Sequence, residues 1–171
     1  MNTPTKGDIR PNSAQPSTRE TLNCDIAIQF EQTHGVLECV LHNGEHGGDH
    51  FTVPHVCVIA AIGAVSCLLD AVANACDELW RLNLNEIAQE ELHLEISIIL
   101  SQCKGVLRLV LDDGEAGSRF TASHSSVITS LGAVSRLLDM AAQTHEKLWR
   151  LGGAEQTACA SPAPAFDEVA L

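Results

Sequence analysis

The chain has 171 residues, 45% hydrophobic and 19% charged, which suits one domain, or two small halves sharing a core, with enough apolar surface to bury without disulfide staples. Ten Lys and Arg stand against 22 Asp and Glu, giving a net charge of −12. That balance argues against binding to nucleic acid or an anionic membrane, and the scarcity of aromatics, with no Tyr, removes the usual base-stacking platform. An acidic surface does permit a basic protein partner, including one that normally holds nucleic acid.

Residues 1–21 are polar, carry Pro4, Pro11 and Pro16, and read as a disordered tail without the apolar core of a secretory signal. From Leu22 onward the chain contains a duplication. Gly63-Ala64-Val65-Ser66 returns as Gly132-Ala133-Val134-Ser135, Leu68-Leu69-Asp70 as Leu137-Leu138-Asp139, and Leu79-Trp80-Arg81-Leu82 as Leu148-Trp149-Arg150-Leu151. Identity at this density over about 60 residues marks an internal repeat. The copies span residues 22–83 and 92–153, joined by a linker at 84–91 and followed by a flexible tail at 154–171.

In the first copy, Cys24, Ile26, Ile28 and Phe30 alternate with more polar neighbours, the pattern of a half-buried strand. A turn at Thr33-His34-Gly35 leads to a second strand over 36–42, and Asn43-Gly44 supplies a hairpin signal. The second copy repeats this with Lys104-Gly105 and Asp113-Gly114. Its one-residue length difference is placed at Gly47-Gly48 as a β-bulge. On this reading Leu37, Cys39, Leu41, Leu107, Leu109 and Leu111 face the helices. Val36, Val40, Val106 and Val110 then form an outer apolar face that something covers: the other repeat, a second subunit or a partner.

The long apolar segments 54–82 and 123–151 read as helices, with Pro54 in a first turn and Ser123 as an N-cap. Gly63 and Gly132 suggest that these two helices pack closely against each other about a pseudo-two-fold axis, and Gly152-Gly153 ends the second. The apolar run Val56–Leu69 is too short to span a bilayer. The expected fold is therefore α+β: two ββ(β)α repeats with an antiparallel sheet packed against two long helices.

Seven cysteines with no C-x-x-C spacing read as free thiols in a reducing cytoplasm. The densest group of side chains able to hold a metal is His42, Glu45, His46, Asp49 and His50, which could take zinc or nickel, although it fits no zinc signature and equally describes a polar turn. His55 and His124 share one repeat position, as do Asp70 and Asp139; each pair could form a site between the repeats, or the histidines could bond local backbone and the aspartates mark the solvent edge or pair with Arg81, Arg136 or Arg150. Trp80 and Trp149 could line a pocket or close the core. No nucleophile elbow, phosphate loop or dinucleotide fingerprint is present. The first expectation for function is a non-catalytic protein-interaction or regulatory module, such as a small inhibitor or adaptor from a bacterium or phage, with a homodimer as one possible assembly. A metal- or small-ligand-binding protein and a small enzyme with its site between the repeats are the alternatives.

Overall fold

The computed structural model describes residues 18–46, 48–82, 87–115, 117 and 119–159, and among these there are four helices and no strand. They are α1 (Arg19–His46), α2 (His55–Leu82), α3 (Ile87–Glu115) and α4 (His124–Cys159). Successive helices pack on one another, and α1 also packs on α4, closing a ring in which α1 and α3, and likewise α2 and α4, lie across the diagonals. Short connections make successive helices antiparallel, so the molecule is an up-down-up-down four-helix bundle. Each repeat is a helical hairpin, not a ββ(β)α unit, and the expected α+β fold is overturned.

Helical spacing explains why. The buried positions of α1 include Asn23, Ile26, Phe30, Thr33, Leu37, Val40 and Gly44, separated alternately by three and four residues. In α2 they are Val58, Ile62, Val65, Leu69, Val72, Cys76 and Leu79, with the same alternation. A three-four repeat keeps one seam of a helix facing its neighbours, whereas a strand would bury every second residue. Ile26 and Phe30 lie on the seam, while Ile28 between them is half exposed. The segment looked like a strand because its solvent face also carries apolar side chains.

The same change of period reverses the assigned outer face. Val40 and Val110 are buried, and Val36 and Val106 pack against the core. Cys39 and Leu109, expected to point inward, are exposed. The turn assigned to Gly35 lies within α1, as the one at Gly105 lies within α3, and no hairpin forms at Asn43-Gly44 or Asp113-Gly114. The extra residue of the first repeat falls in the α1–α2 connection, where Gly48 takes a positive φ of 67°, and makes no bulge; Gly47 lies outside the described residues. Gly152-Gly153 does not end α4, which continues to Cys159.

The helix starts are fastened locally. Thr18 Oγ1 accepts from Thr21 N–H at 3.2 Å, and Ser123 Oγ from Ser126 N–H at 3.2 Å, each satisfying an amide that the helix itself leaves free. Pro54 C=O accepts from Cys57 and Val58 at 2.9 and 3.3 Å. At the helix ends, Asn43 Oδ1 accepts from Thr52 Oγ1 at 2.7 Å, and its counterpart Asp113 accepts from Thr121 and Ala122 amides at 3.0 and 3.1 Å. The Thr121 hydroxyl bonds the same carboxylate. These bonds, with the Thr121 side chain first, hold the Asp113 carboxyl below its ordinary range. Because the folded-state value is depressed, the stability this loop gains is present above the unfolded carboxyl range and is lost as pH falls through the folded value. Asp113→Ala should therefore flatten the acid limb of the stability curve, as read by urea unfolding below pH ~4; an unchanged acid limb would show that the loop does not depend on this carboxylate.

α2 is the most apolar helix. It contains an 18-residue stretch of mean hydropathy 2.4 and so is long and apolar enough to cross a membrane by length and composition, contrary to the estimate from the Val56–Leu69 run alone; 28% of that stretch is buried in the bundle.

Candidate functional site: a cleft between α1 and α4

The expected site residues are dispersed. His42, Glu45 and His46 lie exposed on the last turns of α1, with the His42 and His46 rings 4.1 Å apart and His46 Nδ1 3.0 Å from His42 O. Asp49 and His50 follow in the exposed connection. Among the described residues, no group of three His, Cys, Asp or Glu side chains is placed to hold a metal ion.

His55 and His124 lie at the same end of the bundle, the one that carries the two intra-repeat connections, each against a phenylalanine. His55 packs edge-on to Phe120 at 4.6 Å and His124 edge-on to Phe51 at 4.7 Å, with Phe51 and Phe120 5.9 Å apart. His55 Nε2 lies 2.9 Å from Gly114 O, a backbone group of the other repeat and not its own. His124 Nε2 is buried without a hydrogen-bond partner among the described residues. These four rings cap the core. Asp70 and Asp139 lie fifteen residues further along α2 and α4, about 22 Å at the α-helical rise, so the two pairs do not form one catalytic group. Their partners are not the expected arginines: Asp70 forms an ion pair with Lys104 of α3, and Asp139 Oδ1 lies 3.4 Å from His34 Nε2 of α1.

Those two aspartates mark the feature that sets the repeats apart. Pseudo-symmetry exchanges α1 with α3 and α2 with α4, so the α1/α4 groove and the α2/α3 groove are two versions of one place. Identical residues frame both: Asp139 and Trp149 in one, Asp70 and Trp80 in the other.

The α2/α3 version is sealed. Trp80 stacks on the His93 ring at 5.0 Å and 11°, His93 Nε2 lies 3.6 Å from Asp77 Oδ1, and the Lys104–Asp70 pair closes the rim. What remains is a space of about 70 Å³. Its floor is the Cys76 thiol, pushed up to about 12 by burial, and it therefore carries no buried charge.

The α1/α4 version is open, a cleft of about 660 Å³. Asn23 stands where the sealed side has His93, and among the described residues no ring stacks on Trp149, which is 39% exposed. Phe30, Leu138 and Ala142 form the apolar wall, with Glu31, His34, Asp139 and Glu146 around it and Cys24 at one edge. On its floor His145 replaces Cys76. His145 is 6% exposed and Asn23 5% exposed, yet His145 Nε2 and Asn23 Oδ1 have no hydrogen-bond partner among the described residues. Asn23 Nδ2 is satisfied, donating to Arg19 O at 2.8 Å. Buried polar atoms are ordinarily paired, so these two atoms in the wall of one cleft are available to a ligand or to water.

Burial lowers the His145 pKa from 6.5, and burial lowers that of His93 against an opposing pull from Asp77. The unfolded chain then takes up protons first as pH falls below 6.5, so both groups subtract stability from that point downward, and neither does so above it. The urea midpoint should decline between pH 7 and pH 5 (roughly the span of histidine titration), and His145→Gln should reduce the slope. A midpoint flat across that range would contradict the burial of these rings.

The sequence alone did not single out Asn23, His34, Glu31, His145 or Glu146. A signal for three of them was present: Asn23/His93, His34/Lys104 and His145/Cys76 are positions at which the copies differ in chemistry between framing residues that they share. Compared with protein-family models, curated proteins and solved structures, the chain matches none of them.

Proposed function

We propose that this protein is a non-catalytic binding module whose α1/α4 cleft takes a small ligand with an apolar body. The observation that carries this reading is the contrast between two copies of one place, about 660 Å³ on one side and about 70 Å³ on the other. Duplication begins with two equivalent grooves. Here one has been filled by its own side chains, and the other keeps the same framing residues around open space and unpaired polar atoms. A volume of this size suits a small organic molecule.

Calorimetry against a fragment set spanning organic acids, neutral compounds and bases tests the proposal. One chemical class should bind with a stoichiometry of one, slow the alkylation of Cys24 at the cleft edge and lose affinity in Ala142→Phe, which places a ring in the cleft. Absence of saturable binding across the set, or binding that Ala142→Phe leaves unchanged, would overturn it.

A second reading, self-association, is favoured by the outer surface of α2. Val56, Cys57, Ala60 and Cys67 are exposed there, whereas α4 carries Ser125, Ser126, Thr129 and Arg136 at the same repeat positions. An apolar face on one copy alone suits a second molecule of this chain. Sedimentation should show a dimer that Ala60→Arg dissociates; a monomer for the unmodified chain would remove this reading and leave the cleft reading intact.

A further inference from the structure

We infer that the α1/α4 cleft recognises a planar, nitrogen-bearing aromatic ring that presents an N–H donor, because the sealed α2/α3 cleft already holds such a ring as part of its own chain. This inference rests on the cleft being a ligand site and names the class of ligand.

The sealed cleft acts as an internal template. Its occupant is the His93 imidazole, lying nearly parallel to Trp80 and directing Nε2 toward Asp77. Flat stacking on the indole is the contact that holds it, and the Asp77 carboxylate 3.6 Å from the ring nitrogen adds a longer-range attraction to its N–H. Both partners persist on the open side, Trp149 in place of Trp80 and Glu146 in place of Asp77. Only the ring is missing, because residue 23 is Asn. Its shorter side chain leaves the indole face uncovered.

The polar groups of the open cleft favour a donor. Asn23 Oδ1 can only accept. The carboxylates of Glu31, Asp139 and Glu146 accept as well; Glu146 shares one oxygen with Arg150, and Asp139 faces His34. His145 Nε2 accepts in one tautomer and donates in the other. Among the described residues no Lys or Arg side chain lines the cleft, so an anionic head would meet the carboxylates of Glu31, Asp139 and Glu146. An N–H-bearing ring suits Trp149, Glu146 and Asn23 together. The larger volume admits a fused bicyclic ring, where the sealed side holds a single imidazole.

The test uses benzimidazole as the probe, with naphthalene as a ring lacking N–H and cyclohexylamine as an N–H cation lacking a flat ring. Benzimidazole should bind the unmodified chain, and Trp149→Ala should weaken it by about tenfold, the effect of losing one good aromatic stack. Asn23→His, which supplies the ring covalently, should block benzimidazole and raise the melting temperature. Because Asn23→His could disturb α1, the sealed side provides an independent measurement. His93→Ala should lower the melting temperature, and free imidazole should restore it in a saturable way.

Naphthalene or cyclohexylamine binding as tightly as benzimidazole would overturn the ring assignment while leaving a ligand cleft. Benzimidazole binding that Asn23→His leaves intact, or His93→Ala that imidazole does not rescue, would overturn the template argument. Failure of every compound to bind would remove the cleft reading itself.

Discussion

Val110→Glu should abolish cooperative unfolding, while Leu109→Glu one residue away should leave it essentially intact. Val110 is 7% exposed on the seam of α3, and Leu109 is 72% exposed on its outer face. A carboxylate at position 110 would have to ionise in an apolar interior or remain neutral without a designed partner, at a cost of several kcal/mol. Native domains have only about 5–15 kcal/mol in total, so this single change consumes much of the margin. The same substitution at 109 places the charge in water and removes an exposed apolar group. An alternating sheet predicts the opposite order, because it turns 109 inward and 110 outward. Urea denaturation followed by circular dichroism separates the cases: a Leu109→Glu variant less stable than Val110→Glu would contradict the bundle.

That pair of residues also shows how far the sequence could be read. The duplication is written in the sequence itself, and the helices of 54–82 and 123–151 and the capping role of Ser123 follow from local patterns; the structure keeps both helices, with the second running on to Cys159, and the cap. The other half of each repeat was misread for a physical reason. α1 and α3 carry apolar side chains on their exposed faces, including Ile28, Leu94, Ile98 and Leu109, which blur the helical period into apparent alternation. Glycines at 35, 44, 105 and 114 resembled turns, yet all four lie inside helices. Packing of the seam overrides these local preferences, and only a core that pairs all four helices reveals the three-four spacing. The site was less legible still. Asp139 and Trp149 stood out because they repeat, but the residues that distinguish the open cleft are those that fail to repeat. Which non-repeating positions share a groove depends on the α1–α4 contact, and that contact joins opposite ends of the chain.

The glycines provide the second large contrast. Gly114→Ala should destabilise the protein by about 1–3 kcal/mol, the ordinary range for overpacking, whereas Gly63→Ala should stabilise it by up to about 1 kcal/mol. A Cβ on Gly114 would come within 2.1 Å of Ile59 Cδ1 and 2.7 Å of the Phe120 ring. The isoleucine tip can rotate away. The ring has less freedom, because it also packs on His55, whose Nε2 contacts the Gly114 carbonyl. Gly44 occupies the equivalent place against Ile128 and Phe51. These are the glycines that permit a close approach, each between the end of one repeat's first helix and the start of the other's second. Gly63 and Gly132 were expected to do so, but no atom outside the helix's own neighbourhood lies within 4 Å of a Cβ built on either, and α2 and α4 lie across the bundle diagonal. Alanine there gains helix propensity at no steric cost. Differential scanning calorimetry of the two variants gives the signs directly, and a stabilising Gly114→Ala would show that the Phe120 ring is not held in place.

The central claim is that one cleft of a duplicated pair is sealed and the other open to a flat nitrogen heterocycle. Its most direct test is the pair of tryptophan indole N–H signals in a ¹⁵N-labelled sample titrated with benzimidazole, assigned by Trp80→Phe and Trp149→Phe. The Trp149 signal should move and saturate while the Trp80 signal, shielded by His93, stays in place. Movement of Trp80 with Trp149 unaffected, or equal movement of both, would contradict the account.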